Sequence, residues 1–556
     1  MQLSNYASKL VDPFDRLALR PETLAFLVSL LLLAIYNFPL WHHLFSIIPA
    51  GAGGLGMRIA FGAMVFAIFN LVLVTLSFRW VFKPFLVFLL VSSSAVAYFM
   101  SQYGVLVDKN MLRNVAETDV GEVRDLLSLR LFLFIFFLGV LPSWLLWRLP
   151  VKHRPIHREL MVKCALALGC VAALGLIALG NYQGLASLLR NHHELRMLVV
   201  PSNYLGASFG YLREELALNQ QSLRQIGTDA HKAPAWNTHK RKSLTVLVVG
   251  ESARADNFGV LGYGRNTTPR LSKEDGLLTF RNVHSCGTET AVSVPCMFSN
   301  MGRAGYDATQ ARSQEGLLDL LKRAGLTVAW HDNQSGCKGT CDRVAFMQLS
   351  HLKDPMLCAD GECHDEILVK GLQDYIDNLK DDSVLVLHQM GSHGPDYFKR
   401  YPSQFEIFTP VCTSNALNDC SRESITNAYD NTLIYTDYVV SSLIDLLRKN
   451  QDKVDTAMLY LSDHGESLGE YNLFLHGTPY VLAPDQQKHV AMLAWFSDSY
   501  QQDFAVASDC LARERDKPLS QDNLFHSMLG LLEIQTGEYN ASLDMFAPCR
   551  ATETES

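Results

Sequence analysis

The chain has 556 residues, of which 48% are hydrophobic, and its mean hydropathy is +0.07. A chain of this length is expected to form two or more domains. The formal net charge of −8 argues against a nucleic-acid-binding protein, because contacts to phosphates need concentrated lysine and arginine.

Five long apolar segments lie in the first third of the chain. Each approaches the about 20 residues that a helix needs to cross a bilayer. The segment that begins at Leu131 reads Leu-Phe-Leu-Phe-Ile-Phe-Phe-Leu and has no polar face, which disfavours the buried helices of a soluble protein. We therefore predict five transmembrane helices, at residues 23–41, 57–78, 84–102, 130–147 and 160–180.

Basic residues between these segments predict the orientation, because loops rich in lysine and arginine stay in the cytoplasm. They cluster in the N-terminal tail and in the second-to-third and fourth-to-fifth connections, which alternate correctly. The chain beyond about residue 181 is then expected in the periplasm of a bacterial inner-membrane protein. Arg58, at the outer start of the second span, is the one departure. The residues that set the orientation are Lys9, Arg16, Arg20, Arg79, Lys83, Arg148, Lys152, Arg154, Arg158 and Lys163.

The cysteines give an independent indication of compartment. Ten of the twelve lie beyond residue 280, and an even number in an oxidising compartment predicts five disulfides. Pairing of neighbours is the simplest connectivity, although sequence alone does not fix it. The alternative is zinc binding by these cysteines, which their irregular spacing and the predicted topology disfavour. The ten are Cys286, Cys296, Cys337, Cys341, Cys358, Cys363, Cys412, Cys420, Cys510 and Cys549; Cys164 and Cys170 lie in the fifth span and are expected to be packing residues.

We predict three regions: a transmembrane domain at residues 1–182, a periplasmic tether with interfacial helices at 183–238, and a catalytic domain at 239–556. In the third region, short apolar runs alternate with helical segments, which is typical of a parallel sheet with crossover helices. The expected strands are residues 244–249, 326–330, 384–387, 458–461 and 491–495, and the expected helices include 315–324, 366–379 and 425–449.

Polar residues follow four of these strands. Glu251 follows the first, Asp332 ends the second, His388 and His393 follow the third, and Asp463-His464 follows the fourth. Ligands of such sheets bind beyond the carboxyl ends of the strands, so we expect a metal site there. Oxygen and imidazole ligands without thiolate suit catalytic zinc, with manganese as the alternative.

The segment from Ser285 to Thr290 supplies hydroxyl nucleophiles, which need a metal or a base to attack phosphorus. Thr290 is expected to begin a helix, where amide groups and the helix dipole favour an anionic phosphoryl group. Cys286 and Cys296 bracket this position. The alternative interpretation is a polar loop closed by a disulfide.

Together these motifs resemble the phosphoethanolamine transferases that modify lipid A, a family that includes the mobilised colistin-resistance enzymes. The resemblance implies an alkaline-phosphatase-like α/β catalytic domain behind five membrane spans. The motifs that carry it are Gly250–Asp256, Ser285–Cys296, His388–Pro395, Phe408–Cys412 and Ser462–Gly469.

By position, the resemblance also implies roles for individual residues. The zinc ligands are Glu251, Thr290, Asp463 and His464, with Thr290 also the nucleophile. His393 and His476 match histidines near a second metal or the substrate phosphate, and Lys338 and His388 match residues that line the head-group site. Gln334 departs from some relatives, which have asparagine there.

The loop between the third and fourth spans carries a further candidate group. Asn114, Thr118 and Glu122 are spaced to share one face of a short helix, and the matching positions of the family approach the phosphoethanolamine head group. The alternative is a solvated interfacial helix.

The expected activity is zinc-dependent transfer of phosphoethanolamine from phosphatidylethanolamine to a phosphate of lipid A through a phosphoethanolamine-threonine intermediate. This modification would confer resistance to polymyxin. Alternatives are transfer to Kdo or core heptose, a phosphoglycerol transferase, and a metal-binding sensor that has lost catalysis. A sulfatase is disfavoured because Thr290-Ala-Val-Ser-Val lacks the Cys/Ser-x-Pro-x-Arg sequence that matures to formylglycine.

Overall fold

The computed structural model describes residues 17–48, 51–117, 123–124, 126–192, 194–218, 222–359 and 361–550. The chain divides into two compact units. The helical unit comprises residues 1–108 and 127–207, and the α/β unit comprises residues 109–126 and 208–556. The α/β unit therefore takes a short segment from between two predicted spans.

The helical unit confirms a membrane-spanning region. Among the described residues, four helices are long and apolar enough to cross a membrane: Gly53–Thr75, Phe82–Tyr103, Leu129–Arg148 and Ile156–Asn191. A fifth span requires that the bent pair Pro21–Tyr36 and Phe38–Ile47, which meet at 62°, be counted as one. The number five thus stays a prediction.

Asn37 holds the bend in this first pair. Its Nδ2 donates to the carbonyls of Leu32 at 2.9 Å and Val200 at 2.7 Å, and its Oδ1 accepts the Val200 N–H at 2.9 Å. Pro39 follows in the first turn of the next helix and has no N–H to continue the ladder of the preceding one. A hydropathy pattern does not register either effect, so the sequence predicted one straight span.

The remaining helical bounds of this unit are as follows. The helices are Pro21–Leu31 continued by the π-helical Leu32–Tyr36, then Phe38–Ile47, Ala52–Thr75, Phe82–Tyr103, Leu129–Ile135 with the π-helical Phe136–Val140 and Leu141–Arg148, Ile156–Asn191, Leu195–Leu198, and Ser202–Leu218, which crosses the boundary between the units.

A seven-stranded mixed sheet organises the α/β unit. The strands are β1 Lys242–Gly250, β2 Leu278–Phe280, β3 Thr327–Asp332, β4 Ala345–Gln348, β5 Ser383–His388, β6 Val454–Ser462 and β7 Met492–Phe496. Their order is β2-β7-β6-β1-β5-β3-β4, in which the five strands from β6 to β4 are parallel. The central strands are buried along nearly their whole length, as expected of parallel strands covered on both faces.

Helices and short strand pairs complete this unit. The helices are Lys109–Glu117, Thr290–Met297, Gly302–Gly305, Ala308–Arg312, Leu317–Arg323, Leu372–Asp377, Arg422–Lys449, Asp498–Asp503, Ser508–Glu514 and Asp522–Leu531. The short pairs are His231–Lys232 with Ile534–Gln535, Ser467–Leu468 with Phe474–Leu475, Leu519–Ser520 with Val283–His284, and Cys358–Ala359 with Glu362–Cys363.

Three expectations about this unit need correction. The strand at 491–495 is β7, and it pairs antiparallel with β6 and β2 instead of extending the parallel sheet. The helix expected at 366–379 is interrupted at Gly371, whose φ of 80° belongs to the left-handed region. Residues near Ile226 and Ala230, which we placed in the tether, pack into the core of the α/β unit.

The cysteines are joined as neighbours in five disulfides. The pairs are Cys286–Cys296, Cys337–Cys341, Cys358–Cys363, Cys412–Cys420 and Cys510–Cys549. Cys164 and Cys170 are free. The cysteine-zinc alternative is therefore excluded for these pairs, since a disulfide sulfur has no thiolate to offer.

Candidate metal centre and nucleophile

Adjacent strands bring the predicted ligands together. Glu251 follows β1, and Asp463-His464 follows β6; the two strands are parallel neighbours whose register pairs Ser462 with Gly250. Thr290 is the first residue of the helix Thr290–Met297, as predicted. These four side chains are buried, so what they carry is shielded from bulk water.

The functional atoms of these residues lie within contact distance. Thr290 Oγ1 donates to Glu251 Oε2 at 3.0 Å and lies 3.3 Å from His464 Nε2. The same nitrogen lies 3.4 Å from Glu251 Oε1 and 3.3 Å from Asp463 Oδ2. One nitrogen, two carboxylates and one hydroxyl therefore face a common point.

The protonation of His464 indicates what this point is suited to hold. Its Nδ1 lies 2.9 Å from the Gly465 carbonyl, which can only accept, so Nδ1 carries the proton and Nε2 presents a lone pair. Burial lowers the pKa of His464, which favours this neutral form. Asp463 Oδ2 is buried without a hydrogen-bond partner among the described residues. Lone pairs that converge in this way repel one another unless a cation lies between them, and the donor set suits zinc.

Ser252 positions both carboxylates. It adopts a left-handed conformation with a φ of 57°. Its N–H donates to Asp463 Oδ1 at 3.1 Å and its hydroxyl donates to Glu251 Oε1 at 2.7 Å. The loop after β5 packs closely on the same turn, because a Cβ at Gly391 would lie 2.6 Å from the Glu251 carbonyl oxygen.

Gln521 links the metal loop to the nucleophile loop. Its Nε2 donates to the carbonyls of Ser462 and Asp463 at 2.8 and 2.7 Å, and its Oε1 accepts the Cys286 N–H at 2.7 Å. The Cys286–Cys296 disulfide closes the segment that contains Thr290. Neither Ser252 nor Gln521 was proposed as a site residue, because an isolated serine or glutamine carries no periodic or motif signal.

Two more histidines adjoin the centre. The His476 ring lies 4.2 Å from the His464 ring and 5.5 Å from the His393 ring, between centroids. Burial alone would lower the pKa of His476, but the Glu466 carboxylate, 2.9 Å from its Nδ1, raises that pKa above the ordinary value. Burial, with the neighbouring positive charges, holds the pKa of His393 well below its ordinary value. Glu466 also accepts from the Tyr397 hydroxyl at 2.5 Å.

Other predicted residues lie outside this cluster. His388 is fully buried, with its Nδ1 2.9 Å from Asp332 Oδ2. Lys338 Nζ donates to the Ser335 hydroxyl at 2.8 Å and to the Glu117 carbonyl at 3.0 Å. Asn114 lies on the helix Lys109–Glu117. Thr118 and Glu122 lie outside the described residues.

The Gln334 position is better defined by the structure than by the sequence. Its Nε2 donates to Glu251 Oε2 at 3.3 Å, so the longer side chain still reaches the metal-ligand candidate. The departure from asparagine thus leaves a contact to the centre.

Comparisons with known proteins support this reading of the site. A family model described as phosphoethanolamine transferase EptA/EptB matches residues 65–216, and a sulfatase model matches residues 243–534. The phosphoethanolamine transferase EptA of Escherichia coli K12 is 44% identical over 489 residues, which cover 88% of this chain and 89% of that protein. The chain belongs to the EptA family of phosphoethanolamine transferases.

Other members of this family match over similar lengths. The phosphatidylethanolamine transferase Mcr-2 of Escherichia coli is 38% identical, covering 94% of this chain and 97% of its own. The solved structure of the lipooligosaccharide phosphoethanolamine transferase A of Neisseria meningitidis superposes with a TM-score of 0.92 at 35% identity, covering 96% of this chain and 100% of that one. The sulfatase match over the α/β unit agrees with the alkaline-phosphatase-like fold that the motifs implied.

Proposed function

We propose that the protein transfers phosphoethanolamine from phosphatidylethanolamine to a phosphate of lipid A, with Thr290 as the covalent carrier at a zinc site. The observation that carries the proposal is the convergence of Thr290 Oγ1 with two carboxylates and the unprotonated Nε2 of His464 in a buried cluster. Membership of the EptA family supports the reaction class.

Glu251, Thr290, Asp463 and His464 would hold the zinc ion. Bound zinc supplies positive charge that lowers the pKa of the Thr290 hydroxyl and offsets charge on the phosphoryl oxygens. His393 and His476 are close enough to the cluster to contact the substrate phosphate or a second ion. Lys338, His388 and Asn114 are proposed to line the head-group site, together with Thr118 and Glu122.

In the first step, the Thr290 oxygen forms a bond to phosphorus and the bond from phosphorus to the diacylglycerol oxygen breaks. Glu251 Oε2, which already accepts the Thr290 hydroxyl at 3.0 Å, is placed to take up its proton. The departing diacylglycerol oxygen gains a proton. Thr290 then carries phosphoethanolamine as an ester.

In the second step, a phosphate oxygen of lipid A attacks the same phosphorus and Thr290 leaves with its proton restored. The acceptor is proposed from the relatives, since the Neisseria meningitidis structure is titled a lipooligosaccharide phosphoethanolamine transferase. A second group of relatives, Kdo(2)-lipid A phosphoethanolamine 7''-transferases, is only 27% identical in its Escherichia coli member. Transfer to a lipid A phosphate is therefore proposed ahead of transfer to Kdo.

We place the protein in the bacterial inner membrane with the α/β unit in the periplasm. The basic residues between the spans, the five disulfides and a relative support this placement: the solved C-terminal domain of the Campylobacter jejuni enzyme EptC, 42% identical, is titled periplasmic. An added amine reduces the negative charge of lipid A, which would weaken the binding of cationic polymyxin.

The proposal is tested with the purified full-length enzyme and head-group-labelled phosphatidylethanolamine. We expect intact-mass analysis without acceptor to show one labelled phosphoethanolamine per chain on Thr290, and none on Thr290→Ala. Adding lipid A should discharge the label onto a phosphate. Label on another residue, or turnover by Thr290→Ala, would contradict the covalent mechanism, and label on Kdo or heptose would replace the acceptor.

A further inference from the structure

A groove in the helical unit has features of a phospholipid site. It has a volume of about 500 Å³ and lies between the first bent helix pair and the helix Ala52–Thr75. Its lining is apolar except for Arg58, the basic residue that departed from the orientation pattern. The lining includes Phe26, Leu30, Trp41, Phe45, Ile59 and Ala63.

The groove follows the helix from its beginning inward. Arg58 lies at one end, with its guanidinium carbon 4.7 Å from the centre of the Phe45 ring. Trp41 packs on Gly62 one turn further along, where a Cβ would lie 2.7 Å from the indole. Phe66 comes after another turn, with its ring 5.1 Å from the Phe26 ring. From Arg58 to Phe66 the helix rises about 12 Å, compared with about 15 Å for half of the hydrocarbon core of a bilayer.

Arg58 is held at the mouth of this groove. Its Nη2 donates to the carbonyls of Ile48 at 2.6 Å and Phe45 at 3.3 Å. Within the described part of the chain, no hydrogen bond engages its Nη1 and no carboxylate lies within ion-pair distance. A fixed guanidinium next to an apolar channel matches a lipid phosphate above its acyl chain.

We propose that this groove binds one membrane phospholipid with a net negative head group, its acyl chain along the aromatic wall and its phosphate on Arg58. The lining has one cation and no acidic side chain among the residues that the structure describes. A phosphatidylglycerol head group therefore has its charge matched, whereas the ammonium of phosphatidylethanolamine finds no partner. The site is thus separate from binding of the proposed substrate at Thr290.

Native mass spectrometry of the delipidated full-length protein in detergent tests the proposal. Phosphatidylglycerol and phosphatidylethanolamine of equal chain length are titrated against the wild type, Arg58→Gln, Arg58→Lys and Ala63→Phe. Arg79→Gln is the matched control, since Arg79 lies near the start of another span and contacts Trp80 instead of the groove. Melting temperatures establish that each variant is folded.

We expect the wild type to prefer phosphatidylglycerol, and Arg58→Gln to raise its Kd about tenfold, as the loss of one charge-assisted hydrogen bond predicts. Arg58→Lys should retain part of the affinity, Ala63→Phe should lose it by filling the groove, and Arg79→Gln should match the wild type. Equal affinity of the wild type for both lipids would overturn the proposal. Equal effects of Arg58→Gln and Arg79→Gln would also overturn it, and would make Arg58 an interfacial anchor only. The Arg58→Gln and Arg79→Gln pair decides the question even if Ala63→Phe fails to fold.

Discussion

The two carboxylate oxygens of Asp463 have different partners. Oδ1 accepts the backbone N–H groups of Ser252 and His464 at 3.1 and 2.7 Å. Oδ2 faces His464 Nε2 at 3.3 Å. One oxygen therefore orients the side chain and the other is available to a metal ion.

This division makes Asp463→Asn an informative change. The amide oxygen can still accept the two N–H bonds, so we expect the variant to fold. Its NH2 group would replace the oxygen that faces His464 and would present hydrogens where a lone pair is needed. Elemental analysis should find little zinc in this variant and full zinc in Asp516→Asn, a control at an exposed aspartate. Equal zinc content in the two variants would place the metal elsewhere.

His489 gives the α/β unit a pH-dependent contribution to stability. Its Nδ1 lies 3.3 Å from Asp256 Oδ1 and its Nε2 lies 2.7 Å from the Arg281 carbonyl oxygen. The hydrogen bond to Asp256, opposed by burial and aided by that carbonyl, raises the pKa of His489. The folded state thus binds the proton more tightly than the unfolded state, and the stabilisation is complete below about pH 6.5 and lost as the pH rises through the folded pKa.

His489→Gln tests this contribution. We expect the wild type to exceed the variant in free energy of unfolding by more at about pH 6 than at about pH 9. Urea unfolding at the two pH values measures the difference, and other titrating groups cancel in the comparison. Asp256→Asn should show the same trend because it removes the partner carboxylate. A difference that does not change with pH would assign the imidazole a neutral role.

Gln521 connects two elements of the site, the loop after β6 and the turn before the helix Thr290–Met297. Its amide has three hydrogen-bond partners and is fully buried. Gln521→Leu would leave those backbone groups unpaired, at a cost of about 1–3 kcal/mol for each group. We expect a clear loss in free energy of unfolding and a lower kcat, because Thr290 is no longer fixed relative to Asp463.

Exposed Gln502 provides the matched control for this change. Gln502→Leu should leave both the stability and the kcat near those of the wild type. If Gln521→Leu lowers stability but leaves the kcat unchanged, the link between the two loops has no part in positioning the nucleophile.

The strands that sequence predicted are those with continuous apolar runs. β1 and β6 are buried almost throughout, so every residue of the run contributes to the signal. β4 at Ala345–Gln348 was not predicted because it is an edge strand whose residues are largely exposed. The antiparallel direction of β7 was also missed, since the connection from β6 is long enough for a crossover and apolar content does not encode direction.

The metal-centre candidates were predictable for a different reason. Glu251, Asp463 and His464 directly follow strands, and parallel strands end at one edge of a sheet. Ser252 and Gln521 act through hydrogen bonds to backbone or carboxylate atoms, and residues that do so are distributed without a characteristic spacing. The roles of Lys338 and His388 stay predictions from the family resemblance.

At the scale of the whole molecule, the structure indicates where the α/β unit can be separated. Ile226 and Ala230 pack in its core, and Trp236 Nε1 donates to the Leu532 carbonyl at 2.9 Å. We expect a fragment that begins at Ser222 to have a melting temperature at least about 5 °C above one that begins at Asn237, because burial of one isoleucine contributes about 2–5 kcal/mol. Differential scanning calorimetry compares the two.

Ile226→Ala in the longer fragment is the control for this comparison and should reproduce part of the loss. Equal melting temperatures of the two fragments would mean that residues 222–236 do not contribute to the core. A solved soluble domain of the Neisseria meningitidis relative, 39% identical and matching 60% of this chain, supports independent folding of such a fragment.

The helix Lys109–Glu117 belongs to the α/β unit although its codons lie between those of two membrane spans. Arg113 and Lys109 form ion pairs with Glu214 in the second part of the same unit. Recombination at a single junction before residue 208 would therefore join an α/β unit from one parent to a helix from the other. Functional hybrids between relatives should need two crossovers, or a matched acid at position 214, so gene exchange is expected to transfer the protein as a whole more readily than its α/β unit alone.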